Sequence, residues 1–275
     1  MGSVGSVGSV GSVGAVGSAG AVGSVGAVGS VGAVGSAGAV GAVGATPTAI
    51  AGADGAELLV LFTSDDSGGP ELHVVDAEVV TVRSVPSLDP TRRLGIPHWS
   101  PTAETRVRSG PEAASAWSLT QDRAAVATAA VLLGLADRMI TMAADYAKDR
   151  RQFGQAIGGF QAVKHLCADM AVRAELARCA VQAAAVTVDQ PDVGDPEVAA
   201  AGAKLLADEA AVTNGRSCIQ VHGGMGFTWE IPAHLAYKRA RVLATQFGTD
   251  DQLAESLGES LAGASAADVT GPLGR

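Results

Sequence analysis

Residues 2–46 are fifteen successive triplets of glycine, then serine or alanine, then mostly valine. A period of three places valine on neither one face of a helix, which repeats every 3.6 residues, nor one face of a strand, which repeats every two. The tract contains no proline, so the collagen-like extended helix that a glycine triplet otherwise suggests is not favoured. Glycine at this density makes ordering costly, and nothing in the tract offsets that cost. The expectation is a disordered segment, with some tendency of the valines to aggregate. No Asp, Glu, Lys or Arg precedes Asp54, so the repeat gives way to an ordinary globular composition over a short distance.

From Asp54 onward the chain is long enough to bury a core. Its net charge of −9 and the lack of extended Lys/Arg clusters exclude a general nucleic-acid surface. A short basic run around Lys148, Arg150 and Arg151 could still hold one anionic ligand. Cys167, Cys179 and Cys218 form no CxxC pair and no metal-ligand spacing, which points to small buried thiols in a reduced, cytoplasmic protein. No glycine-free apolar span of about 20 residues occurs, so no membrane-spanning helix is expected. The N-terminus lacks the cationic start of a signal peptide.

Residues 56–108 read as β-structure. Glu57 to Thr63 is a strand, Asp65 to Pro70 a turn, and Glu71 to Val75 the return strand. A valine-rich third strand over 77–85 follows, then short ones near 94–99 and 105–108. A sheet this small is marginal alone and should belong to a larger β-domain. From Pro111 the pattern becomes helical. A long helix capped by Ser115 or Ser118 runs to about Asp149, and a second covers about 160–188. A third is capped by Asp195 with Pro196 in its first turn and ends near Val221. A fourth covers about 231–246 and a shorter fifth about 250–261. The fold class is therefore mainly α: an antiparallel four-helix bundle preceded by a partial β-domain and a disordered Gly/Ser/Val repeat. The corresponding segments are 1–53 (repeat), 54–110 (partial β-domain), 111–262 (bundle) and 263–275 (frayed tail).

Two junctions carry candidate chemistry. The first is Arg150-Arg151-Gln152-Phe153-Gly154, followed by Ile157-Gly158-Gly159-Phe160-Gln161, where arginine forks suit phosphates. On residue chemistry alone the commoner reading is a capped helix end with a charged rim. The second is Gln220-Val221-His222-Gly223-Gly224-Met225-Gly226. Its glycines permit close backbone approach, and successive N–H groups can form an anion-binding nest; a tight interhelical turn is an equal alternative. No P-loop lysine follows. His165 and His222 are read first as packing or hydrogen-bonding histidines, and no Ser/His/Asp set is present.

Together with Tyr146-Ala147-Lys148-Asp149 before the first junction, Ala162-Val163-Lys164-His165 after it, and Phe227-Thr228-Trp229-Glu230 after the second, these segments resemble the C-terminal helical domain of the acyl-CoA dehydrogenases, with wording similar to the actinobacterial branch. The Asp89-Pro90-Thr91-Arg92-Arg93-Leu94 run resembles the end of that family's middle β-domain. The resemblance implies FAD as cofactor, an acyl-CoA thioester of a fatty acid or sterol side chain as substrate, and a homo- or hetero-oligomer with an acyl-CoA dehydrogenase homologue. No nucleic-acid and no membrane partner is expected, on the charge and hydropathy already given. The resemblance also implies cofactor-binding roles for Arg150 with Gln152 and Phe153 beside it, for Gln161, for Gln220, Val221, His222, Gly223 and Gly224, and for Thr249 with Asp251. The family's catalytic glutamate falls on Phe247, and its alternative position falls near Ala124, two residues from Asp122, so no catalytic residue is expected. The repeat stands where the family has a helical domain and the strands lining the flavin. A triplet expansion or misplaced start would account for that. The resemblance thus leads to an incomplete or partner-dependent enzyme subunit, with a non-catalytic assembly protein or a truncated product as the alternative.

Overall fold

In a computed structural model of the chain, the described residues are 31–34, 38–42, 49–65 and 67–263. Two strands lie inside the glycine repeat, β1 (Val31–Val34) and β2 (Gly38–Ala42), where no regular structure is expected from the triplet period. β2 runs parallel to β4 (Leu58–Ser64) along its full length. Main-chain pairing to an open strand edge needs no side-chain pattern, so a period of three does not prevent it. The rest of the segment expected to be disordered, residues 1–30, 35–37 and 43–48, lies outside the described residues, as does the expected frayed tail from 264, whereas Ile50–Ala51 at the end of that segment is a buried strand.

β4 pairs antiparallel with β5 (Pro70–Asp76), and β5 pairs with β8 (Arg106–Ser109). The intervening turn is fixed by Asp65, whose carboxylate accepts from the backbone N–H groups of Ser67 and Gly69. A second sheet orders β3 (Ile50–Ala51), β7 (Leu94–His98) and β6 (Thr81–Val85). The expected third strand is thus shortened, because Ala77–Val79 forms a 3-10 turn capped by Asp76. Between β5 and β8, Arg106 donates to the buried Glu71 at 2.5 Å, and the His73 ring lies within 3.2 Å of the same carboxylate. The buried carboxylate is thereby paired rather than stranded.

β8 feeds directly into α1 (Gly110–Asp149), earlier than a Ser115 or Ser118 cap would place it. The first turn instead holds Pro111, whose missing N–H has no intrahelical partner there anyway. α2 (Gln161–Asp189) and α3 (Pro196–His222) follow, then α4 (Ala233–Leu243) and α5 (Asp250–Gly263). The Asp195 carboxylate accepts from the N–H groups of Glu197 and Val198, as the Asp-Pro start predicts. α3 packs against each of the other four helices, so alanines on every side of it are buried. A helix enclosed in this way loses the usual one-sided polar stripe. α1 is long and apolar enough by composition to cross a membrane, but its inward face, including Leu132, Met139 and Ala143, joins the core shared with α2 and α3. The thiols differ in setting: Cys218 is buried, Cys167 intermediate and Cys179 exposed, so burial of all three is corrected.

The β-layer packs on the bundle through Val60 of β4 and Leu72 of β5, and two further contacts tie the layers together. The Phe62 ring of β4 packs on Trp117 of α1 at 4.5 Å between centroids. Asp89, fully buried in the loop before β7, accepts a hydrogen bond from Arg239 of α4, whose other arm reaches the Thr91 hydroxyl.

Candidate functional site

α1 and α3 run side by side with a constant register: Met139 lies against Gly215, and the Tyr146 ring stacks on His222 at 4.3 Å with 25° between planes. This register brings the end of α1 and the end of α3 to one end of the bundle. Arg150 terminates α1 there, its own N–H closing on the Tyr146 carbonyl. The chain then makes a two-residue hairpin, β9 (Arg151–Gln152) with β10 (Gln155–Ala156), through Phe153 and Gly154. Both turn residues have positive φ, 50° and 83°, which a glycine adopts freely and a phenylalanine rarely does. Phe153 is 91% exposed and touches Phe160 edge-on. Gln161 opens α2 beside them and is exposed.

Arg150 is exposed, and its guanidinium makes no ion pair or hydrogen bond among the described residues. It is a free fork next to the second junction. At that junction Gly223 has φ 60°, and both Gly223 and Gly224 face open space. Gly226 differs: a side chain there would meet the Ile219 carbonyl at 2.8 Å, so it is glycine for packing against α3. The expected nest of free N–H groups is reduced, because the Gly223 N–H already donates to the Gln220 carbonyl. Val221 is buried in the core, and the buried His222 ring is held by the Cys218 carbonyl at 2.8 Å as well as by Tyr146. These two can offer a ligand main chain rather than side chain. Gln220 is exposed at the rim. Tyr146 is the residue that sequence patterning does not single out. Only the helix register reveals that it buttresses His222 and so fixes the glycine loop.

Thr249 and Asp251 lie elsewhere. Thr249 precedes α5, where its hydroxyl sits 3.2 Å from Gln252. α5 runs antiparallel to α3: Ser256 reaches Glu197 near the start of α3, and Asp250 at its first turn influences the buried Lys204 and Asp208. From Asp208 to His222 a helix rises roughly 20 Å. The structure thus divides the candidates into a terminal cluster (Arg150, Gln152, Phe153, Gln161, 220–224) and a separate pair, and the two groups cannot meet at one point.

Phe247 is buried, with φ 57°, in the bundle core. It can accept no proton, and Ala124 is likewise a buried core residue of α1. Asp122 is half-buried. Burial first, then the nearby Glu197 and Asp195 carboxylates, push its pKa up to about 6. It faces the start of α3, at the other end of the bundle from the free arginine.

Residues 112–262 match the family model described as acyl-CoA dehydrogenase, C-terminal domain. The chain belongs to the acyl-CoA dehydrogenase family. Members of this family are FAD-dependent flavoproteins. Acyl-CoA dehydrogenase FadE34 of Mycobacterium tuberculosis is 48% identical over 120 residues, 44% of this chain and 17% of that protein. Acyl-CoA dehydrogenase IpdE2 of the same organism is 38% identical over 160 residues, 58% of this chain and 45% of that protein. A solved steroid ACAD, Tcur3481–Tcur3483, is 29% identical and superposes with a TM-score of 0.65 over 76% of this chain and 56% of that one. The chain therefore spans little more than half the length of these relatives at most.

Proposed function

We propose that this chain is a cytoplasmic subunit of an FAD-dependent acyl-CoA dehydrogenase, acting on the CoA thioester of a fatty acid or sterol side chain together with a complete homologous subunit. The observation that carries this reading is the free, exposed Arg150 fork beside the open glycines Gly223 and Gly224 on one end of the bundle. A planar guanidinium and unhindered main chain suit an anionic pyrophosphate, so the residues present fit FAD. Arg150 pairs with phosphate oxygens, Gln152, Gln161 and Gln220 offer amide contacts at the rim, exposed Phe153 covers apolar surface, and Tyr146 with His222 keeps the loop in place. Thr249 and Asp251, about a helix half-length away, serve a second stretch of cofactor. Bound FAD supplies the acceptor for the hydride leaving the β-carbon of the thioester. The α-proton needs a carboxylate within hydrogen-bond reach. Phe247 and Ala124 provide none, so the base comes from the partner. The steroid ACAD relative, designated by two gene products, supports assembly from unequal subunits.

The test is to purify the chain alone and with a complete homologue, and to record flavin absorbance per protein and its bleaching by acyl-CoA. The complex should retain FAD and bleach. Arg150→Ala in the complex should weaken FAD roughly ten- to a hundred-fold, the scale of a lost charge-assisted hydrogen bond. A single chain that holds FAD and bleaches would overturn partner dependence. The burial of Phe247 in the core also favours a second reading, a non-catalytic assembly subunit. In that case Arg150→Ala leaves both FAD content and turnover of the intact complex unchanged.

A further inference from the structure

The loop before β7 carries more positive charge than its surroundings neutralise. Asp89 is fully buried, and both its oxygens are committed. Oδ1 accepts from the Thr91 N–H at 3.0 Å and from the Thr91 hydroxyl at 2.6 Å, and Oδ2 accepts from Arg239 Nε of α4. The Nη2 group of Arg239 donates to the Thr91 hydroxyl at 2.6 Å. Arg93 is answered separately, by Asp54 at 3.4 Å. Arg92 lies between these two contacts and is half-buried, yet its guanidinium makes no hydrogen bond and no ion pair among the described residues. Its backbone N–H returns to the Asp89 carbonyl at 3.2 Å, which keeps the residue against the clasp.

A guanidinium in this position is under two strains. It has five N–H donors and no acceptor, so partial burial without a partner leaves those donors short. It also faces a like charge. Burial first, then repulsion from Arg239, lower its pKa to about 10, and attraction to Asp89 offsets this only in part. Arg92 is still charged at neutral pH. One buried carboxylate thus serves two arginines, and one positive charge is left unanswered in a chain of net charge −9. Packing does not ask for this arrangement, since an uncharged side chain at 92 would remove the repulsion and lose no bond.

An oxyanion completes the set. A carboxylate presents two acceptors in one plane and would occupy a single fork. A phosphate group presents three or more oxygens around one centre, enough to meet Arg92 and the Nη1 group that Arg239 has left over. We propose that Arg92 and Arg239 form a binding site for a phosphate group at the seam between the β-layer and α4. The ligand is inorganic phosphate or the phosphate monoester of a larger molecule. It bridges the loop to α4, so its binding tightens the clasp. The site uses no residue of the Arg150 junction and stands whether or not that junction holds FAD.

The test is the melting temperature of the full chain in phosphate against chloride at matched ionic strength. Arg150→Ala is the parent throughout, so that the other free arginine cannot supply the response. Phosphate should raise the melting temperature, as binding to the folded state alone does, and should slow hydrogen exchange of Leu94–His98, the strand that follows the loop. Titration calorimetry with inorganic phosphate and with glycerol phosphate separates the two sources: a monoester bound more tightly identifies a larger ligand, and equal affinities identify the free ion. Arg92→Gln should weaken either at least about ten-fold, the scale of a lost charge-assisted hydrogen bond. In chloride the same variant should melt no lower than its parent, because Arg92 gives up no bond there. Arg92→Lys keeps the charge but not the fork and should bind with intermediate strength. A melting temperature that phosphate does not move, a response that survives Arg92→Gln, or a loss of stability in chloride on Arg92→Gln would each overturn the proposal.

Discussion

Lys204 and Asp208 meet at 2.5 Å on α3 with essentially no exposure. Burial lowers the lysine pKa and raises that of the aspartate, while their mutual attraction opposes both shifts. Such a pair adds little net stability, but removing one partner is costly because the other charge is left buried. Asp122 is a different case, since its surroundings are acidic rather than complementary. Its pKa in the folded chain, about 6, lies above the ordinary aspartate value of 3.8, so the folded state holds its proton more tightly. Stability from this group is complete below the unfolded pKa and is lost as pH rises through about 6. Asp122→Asn should therefore raise the melting temperature above pH 6.5 by an amount equivalent to about 1 kcal/mol, discounted for partial exposure. At pH 3.5 it should change little. Melting curves across that range check the sign, and a gain that is larger in acid would be incompatible with it.

The start of α3 shows an element specified by its own sequence. Asp195 places one carboxylate oxygen on two orphan N–H groups, and Pro196 needs no acceptor. Asp195→Ala should cost about 1 kcal/mol by urea denaturation, the usual scale for a lost cap. Asp195→Asn should cost less, because it keeps an acceptor and relieves Asp122 of a like charge. Equal losses for the two variants would show that the carboxylate charge, not the capping geometry, matters there. α1 shows the opposite. Its start at Gly110 is set by direct continuation from β8, and the serines further along are ordinary interior residues. Its first turn was legible only in Pro111.

At the scale of the whole molecule, a buried polar clasp joins the β-layer to the bundle in addition to the Phe62–Trp117 contact. Asp89 is fully buried, and although burial raises its pKa, hydrogen bonds from Thr91 and Arg239 outweigh that and hold it below the usual carboxylate range. Arg239→Ala strands this carboxylate without its counter-charge, which typically costs several kcal/mol. The loss should be local. Hydrogen exchange of Leu94–His98 should accelerate while that of α1 and α3 stays slow, because the bundle core does not include Asp89. Uniform acceleration throughout would mean that the two layers unfold as one unit.

The sequence by itself determined the helical bundle, the β-structure before it, the Asp195 cap and the two family motifs, because local periodicity and punctuation encode these directly. What only the tertiary structure decided is which motif residues meet. Side chains adjacent in sequence, such as Val221 and Gln220, point to core and rim respectively, and Tyr146 reaches His222 only because α1 and α3 share a register. The separation of Thr249 and Asp251 from the arginine end follows likewise from the antiparallel course of α5. Strand pairing within the glycine repeat was hidden for the same reason: main-chain hydrogen bonds to a distant edge leave no side-chain period to read.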